Sequence, residues 1–228
     1  MLTEDTGTQG AGNFQLEVNH DASRDRTDTA LSRSGQLNAV LTYGLAGTLD
    51  LHIGYPYLRR NTDTGMGAAV ERGGGDAIID FKWRLFEREG YSIGLKPGMT
   101  GASGDQGRGL GQGRATYGAI LILGREAGDW AFHGHLGARR NRNSVGERDH
   151  LHQTSAAVLY RAAEKLRLLA DVGVTRQPDP ALRSDPAFLI LGFIYSPAKN
   201  VDLDFGWRAA LNEAAVDRTL GVGVTVRW

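Results

Sequence analysis

Apolar residues alternate with polar or small ones along most of this chain, and the alternation continues to the last residue. In Arg218–Trp228, Leu220, Val222, Val224, Val226 and Trp228 fall on one side, while Thr219, Gly221, Gly223, Thr225 and Arg227 fall on the other. A period of two predicts a strand with one apolar face. The same split recurs upstream. Val201, Leu203, Phe205 and Trp207 oppose Asp202, Asp204, Gly206 and Arg208; Leu166, Leu168, Ala170 and Val172 oppose Lys165, Arg167, Leu169 and Asp171. Trp130, Phe132 and Leu136 oppose Ala131, His133 and His135; Ile79, Phe81 and Trp83 oppose Ile78, Asp80, Lys82 and Arg84. Leu49, Leu51, Ile53 and Tyr55 oppose Asp50, His52 and Gly54, and Phe14, Leu16 and Val18 oppose Gln15, Glu17 and Asn19.

Two kinds of connection separate these strands. Short ones fall at Leu45–Thr48, Glu87–Gly90, Glu126–Asp129, Ala162–Lys165 and Pro197–Asn200, recurring about every 35 to 42 residues. That interval fits two spanning strands with a turn and a loop. Longer, more polar connections fall at Arg24–Asp28, Arg59–Gly75, Gly101–Gly113, Asn141–Asp149, Gln177–Asp185 and Asn212–Asp217. The expectation is an all-β chain: one transmembrane, antiparallel, up-and-down β-barrel of about 12 strands, with short periplasmic turns and longer extracellular loops. Residues 1–228 form a single domain, with 1–11 as an N-terminal periplasmic segment. Helix propensity opposes this only in Ser155–Ala170, which is rich in Ala, Leu, Lys and Arg; its alternating flanks and the turn spacing favour a hairpin bending at Ala162–Lys165. A soluble sandwich also alternates. It lacks a reason for short turns on one side only, and for aromatics such as Tyr43, Trp130, Tyr160, Tyr195 and Trp228 beside those turns.

Composition refines the picture. Net charge is zero, with 26 basic and 26 acidic side chains and no basic run, so nucleic acid is not an expected partner. The absence of cysteine excludes disulfides and thiolate chemistry. Glycine, at 32 of 228 residues, sits within apolar strands rather than polar tracts, which suits walls that must stay slim on one face. No run approaches the roughly 20 apolar residues of a spanning helix, but strands that alternate average to mild hydropathy even when one face meets lipid. Met1-Leu2-Thr3-Glu4-Asp5-Thr6 shows neither the basic region nor the apolar core of a signal peptide; the barrel reading expects a native signal to have been removed and Met1 to come from expression.

Three stretches carry a family likeness: Thr3–Asn19 (TEDTGTQGAGNFQLEVN), Leu41–Tyr57 (LTYGLAGTLDLHIGYPY) and Asp80–Ile122, with Asn200–Trp207 (NVDLDFGW) extending it toward the C-terminus. They resemble the outer-membrane transporter family of the meta-pathway of phenol degradation. The resemblance implies a bacterial outer-membrane barrel that passes small, often aromatic, compounds. It carries over no catalytic motif.

The candidate lumen residues are Glu17, Asp50, His52, Asp80, Lys82, Arg84, Lys96 and Arg114, together with His133, His135, Arg139, Arg167, Asp171, Asp204 and Arg208. Asp80 and Lys96 are expected to face each other across the Glu87–Gly90 hairpin. Mixed charge of this kind fits a narrow channel that selects solutes, and equally a plugged barrel held by internal ion pairs. His133 and His135 share a face, yet no cysteine or carboxylate motif accompanies them, so no metal or other cofactor is expected. Gly101–Gly113 lacks the Gly-Lys-Ser/Thr ending of a phosphate loop; it and Arg59–Gly75 read as external loops able to fold into the mouth. A lipid-modifying enzyme is the remaining alternative. Its nearest candidate pair, His152 and Ser155, lies three residues apart on a strand and so on opposite faces, and no G-x-S-x-G element is present. Expected partners are membrane lipid or detergent, a small-molecule solute, and the outer-membrane assembly machinery through the strand ending at Trp228.

Overall fold

The computed structural model describes residues 2–27, 30–65 and 67–228. Met1, Asp28, Thr29 and Met66 lie outside the described residues, and with them the expectation about Met1 and the far end of the first long loop. The chain folds into β1 (Phe14–Arg26), β2 (Leu31–Ala46), β3 (Leu49–Asp63), β4 (Ala68–Gly74), β5 (Ile78–Arg88), β6 (Tyr91–Thr100), β7 (Thr116–Ala127), β8 (Trp130–Arg140), β9 (His150–Ala163), β10 (Leu166–Thr175), β11 (Ala187–Ala198), β12 (Val201–Ala210) and β13 (Arg218–Arg227). One 3-10 turn, Gln106–Arg108, interrupts the all-β pattern. Every pairing is antiparallel, and the contacts of β1 with β13 and of β2 with β3 close the sheet on itself. No backbone edge therefore remains around the spanning wall.

Twelve strands make that wall. β4 is not a separate stave: β3 pairs with β5 from Leu49 to Gly54 and with β4 from Tyr57 to Asp63. β4 and β5 are thus two parts of one stave, broken at Gly75–Ala77. The segment Arg59–Gly75, expected to be an external loop, is instead mostly a tall hairpin that prolongs the wall. Its residues (Arg59, Arg60, Asn61, Thr62, Asp63) are polar on both faces, so they carry no alternation to betray a strand.

At the other end the turns are tight. Gly47–Thr48, Glu89–Gly90, Gly128–Asp129, Glu164–Lys165 and Lys199–Asn200 each join two strands with two residues. Glu89 (φ 53°) and Gly90 (φ 77°) both take the left-handed conformation, the form whose twist matches a hairpin. The helix-prone stretch Ser155–Ala170 is a hairpin, as its flanks require.

Facing follows the alternation. Leu220, Val222, Phe132, Phe81, Ile53 and Leu203 project outward and lie exposed, from 42% for Phe81 and Leu203 to 52% for Val222. A continuous apolar exterior of this extent far exceeds the patches that soluble monomers tolerate, so lipid surrounds it. Aromatic rings close the short-turn rim: Phe14 stacks against Trp228 at 5.8 Å and tilts against Tyr43 at 4.7 Å, and Trp130 meets Tyr160 at 4.6 Å. The interior is two-sided. Charged and amide side chains dominate β1 to β6, whereas Ile122, Leu159, Leu169, Phe188 and Ile190 are buried along β7 to β11.

Candidate functional site

The site is the lumen, and the residues before β1 occupy it. Gly10 (φ 80°) and Gly12 (φ 81°) turn the chain back at the short-turn rim, where the Gly12 N–H donates to the Gly44 carbonyl at 2.8 Å and the Gly44 N–H to that of Asn13 at 2.9 Å. The approach is close enough that a Cβ on Gly44 would lie 1.8 Å from the Gly10 carbonyl oxygen. From there the segment climbs inside the barrel. Residues 1–11 were expected on the periplasmic side; the described part, from Leu2, instead lies within the wall. A stretch that binds a polar lumen has the same composition as one that faces water, so its sequence alone does not separate the two.

The segment bonds to staves on several sides of the lumen. The Gln9 N–H donates to the Asp50 carboxylate (3.0 and 3.2 Å), and the Thr8 hydroxyl to the Gly47 carbonyl (3.0 Å). The Thr6 hydroxyl donates to Ser92 Oγ at 2.7 Å. Lys82 reaches Asp5 at 3.4 Å and Glu4 at 3.8 Å, and Lys96 reaches Glu4 at 2.5 Å and Asp80 at 3.6 Å. The Glu4 N–H points to His135 Nδ1 (3.3 Å). Across the lumen, the N–H groups of Leu2 and Thr3 donate to Asp171 at 2.6 and 2.9 Å, and the Thr3 hydroxyl joins Asp171 at 2.7 Å and Ser155 at 2.6 Å. Burial opposes ionisation of Glu4, but the ammonium groups of Lys96 and Lys82 outweigh it and hold the carboxyl at about 2 instead of 4.5. For Asp5, burial again opposes, and Lys82 prevails to lower the carboxyl from its ordinary range.

The segment divides the lumen. A cavity of about 920 Å³ opens toward the short turns, and cavities of about 460 and 340 Å³ lie toward the long loops. Leu2, Asn19, Asp204 and Gly206 border both the 920 and the 460 Å³ cavities. Gly192, Gly206 and Gly221 pair in a row across β11, β12 and β13, leaving that part of the wall bare of side chains beside Leu2. Loop 101–113 folds into the mouth: Leu110 is buried and lines the 460 Å³ cavity, and Asp76 anchors the loop through the N–H groups of Gly104 and Gln112, both at 2.8 Å.

Most of the sequence-derived lumen set faces inward. Glu17, His52, Asp80, Lys82, Arg84, Lys96, His133, Arg167 and Asp204 line the large cavity, Arg139 the smallest, and Arg208 the third, its guanidinium 4.1 Å above the Phe188 ring. Asp50, His135 and Asp171 are buried against the N-terminal segment. Arg114 is the exception: it lies exposed in the loop before β7 and borders none of these cavities. Asp80 and Lys96 do pair, though diagonally, because Asp80 stands opposite Gly98. Among the described residues no three histidine, aspartate or glutamate side chains gather as metal ligands. Ser155 turns inward onto Thr3, away from His152 on the opposite face. Sequence reasoning missed Thr3, Glu4, Asp5 and Gln9, and it missed the apolar wall, since Ile120-Leu121-Ile122-Leu123 does not alternate and so gives no facing.

Similar structures fit this geometry. An outer membrane channel from Pseudomonas putida F1 aligns over 98% of both chains with a TM-score of 0.76 and 16% identity. The translocator domain of the autotransporter NalP from Neisseria meningitidis aligns over 98% of this chain and 91% of that one (TM-score 0.59, 13% identity). The KdgM porin aligns over 93% and 98% (TM-score 0.61, 10% identity). Identities this low establish the barrel fold, and a channel, a translocator and a porin sharing it means that fold alone does not select a task. A comparison with curated proteins found no match. The family model described as "Putative MetA-pathway of phenol degradation" matches residues 3–228, and the chain belongs to that family.

Proposed function

We propose that this protein is an outer-membrane channel for small, partly apolar solutes, closed at rest by its own N-terminal segment. The observation that carries the reading is residues 2–9 threaded through the lumen, bonded to staves on opposite sides and separating the loop-side cavities from the short-turn cavity. The lining suits a solute with a polar and an apolar end, because Lys82, Lys96 and Asp80 share the large cavity with Leu159 of β9 and Leu169 of β10. Family membership supports passage of small aromatic compounds, and the porin and channel among similar folds support transport over enzymatic chemistry. The number of bonds holding the segment favours a second reading, a permanently plugged structural barrel.

Planar-bilayer recording separates the two. Wild type is expected to conduct weakly, and a chain lacking residues 2–9 to conduct severalfold more. Deletion that leaves the barrel folded yet silent removes the channel reading and leaves the structural one.

A further inference from the structure

The outer surface carries one concentration of charge that the lumen does not explain. On β13, β1 and β2 the outward positions pass upward from Leu220, Ala22 and Leu37 to Arg218, Arg24 and Arg33. Arg24 stands directly opposite Arg218 on one side and Arg33 on the other, so three guanidinium groups share one face at one height. On the next stave, Arg59 of β3 opposes Arg72 of β4. Among the described residues none of these five lies within 4.0 Å of a carboxylate. The nearby acids are taken by backbone: Asp217 accepts the Arg26 N–H at 3.1 Å, and Asp25 the Asp217 N–H at 3.4 Å. The rest of the rim differs. Arg140 at the top of β8 is neutralised by Asp149 at 3.1 Å, and the outward residues near that level on β6, β7, β10 and β11 are Met99, Tyr117, Val174 and Ala187.

Like charges on directly opposed strand positions repel, so the ladder is unfavourable until an anion joins it. Its place supplies one. It sits at the loop-side edge of the lipid-facing band, at the level of headgroups, and the planar fork of arginine matches phosphate oxygens two at a time. We propose that Arg24, Arg33 and Arg218, flanked by Arg59 and Arg72, bind the phosphates of a phosphorylated glycolipid in the leaflet facing the long loops. The choice of glycolipid rests on the outer-membrane location proposed above, since that is the phosphorylated lipid of an outer leaflet.

The test is native mass spectrometry of the whole protein in detergent, titrated with diphosphoryl lipid A, its dephosphorylated form and phosphatidylglycerol. Wild type is expected to prefer diphosphoryl lipid A over either by roughly tenfold, and Arg24→Gln/Arg33→Gln/Arg218→Gln to lose that preference. The corresponding triple lysine variant keeps part of it and Arg140→Gln all of it. If the triple glutamine variant fails to fold, as judged by heat-shifted migration on gels, Arg33→Gln alone must still reduce the preference. Equal binding of the phosphorylated and bare glycolipid overturns the proposal, as does equal binding of phosphatidylglycerol or complete displacement by inorganic phosphate. Conductance does not enter the readout, so a barrel that never conducts leaves this site standing.

Discussion

In the proposed closed channel, closure turns on Glu4, which alone among the described residues of the segment engages two lysines on neighbouring staves. Its carboxyl is held at about 2 against an ordinary 4.5. A lowered acid stabilises the docked segment fully above pH 4.5 and loses that contribution as pH falls through about 2. Glu4→Gln imitates the protonated state. Wild type should therefore conduct less than Glu4→Gln above pH 4.5, with the difference shrinking toward pH 2; a difference that does not change over that range refutes the role of the carboxylate. Asp171 makes the second anchor. Asp171→Ala leaves the N–H groups of Leu2 and Thr3 without their acceptor, each costing about 1–3 kcal/mol, while the Thr3 hydroxyl keeps Ser155. Bilayer recordings should show that variant opening more often than wild type.

At the scale of elements, what the sequence discloses depends on whether a segment meets two different surroundings. Leu220 to Trp228 has lipid on one side and lumen on the other, so its residues alternate and its facing can be read directly. β7 has an apolar lumen wall behind Ile120 and Ile122, and nothing in its run distinguishes in from out. The β3–β4 hairpin rises past the lipid band and is wet on both sides, which made it look like a loop. The N-terminal segment escaped for a related reason: its threonines and acids match solvent as well as they match Lys82, Lys96 and Asp171. The turn that admits it is more specific. Because a Cβ at Gly44 would collide with the Gly10 carbonyl, Gly44→Ala should displace the segment while the staves remain paired. Raised conductance with an unchanged heat shift on gels is the expected result, and unaltered conductance would mean that the rim yields elsewhere.

For the whole molecule, closure of the sheet through β1–β13 and β2–β3 predicts the behaviour of a membrane barrel. In detergent, unboiled protein should migrate differently from boiled protein on SDS gels, and equal migration would contradict a closed wall. The bonds that divide the lumen have a mechanical side as well. Residues 2–9 tie Asp50 on β3, Lys82 on β5, Ser92 and Lys96 on β6, His135 on β8, Ser155 on β9 and Asp171 on β10. A strap fixed to six staves braces a hollow cylinder against ovalling, much as spokes true a rim. Letting a solute through and slackening the cylinder are then the same event. A ligand that opens the passage should lower the temperature at which the barrel unfolds, so heat resistance can report permeability without any current being measured.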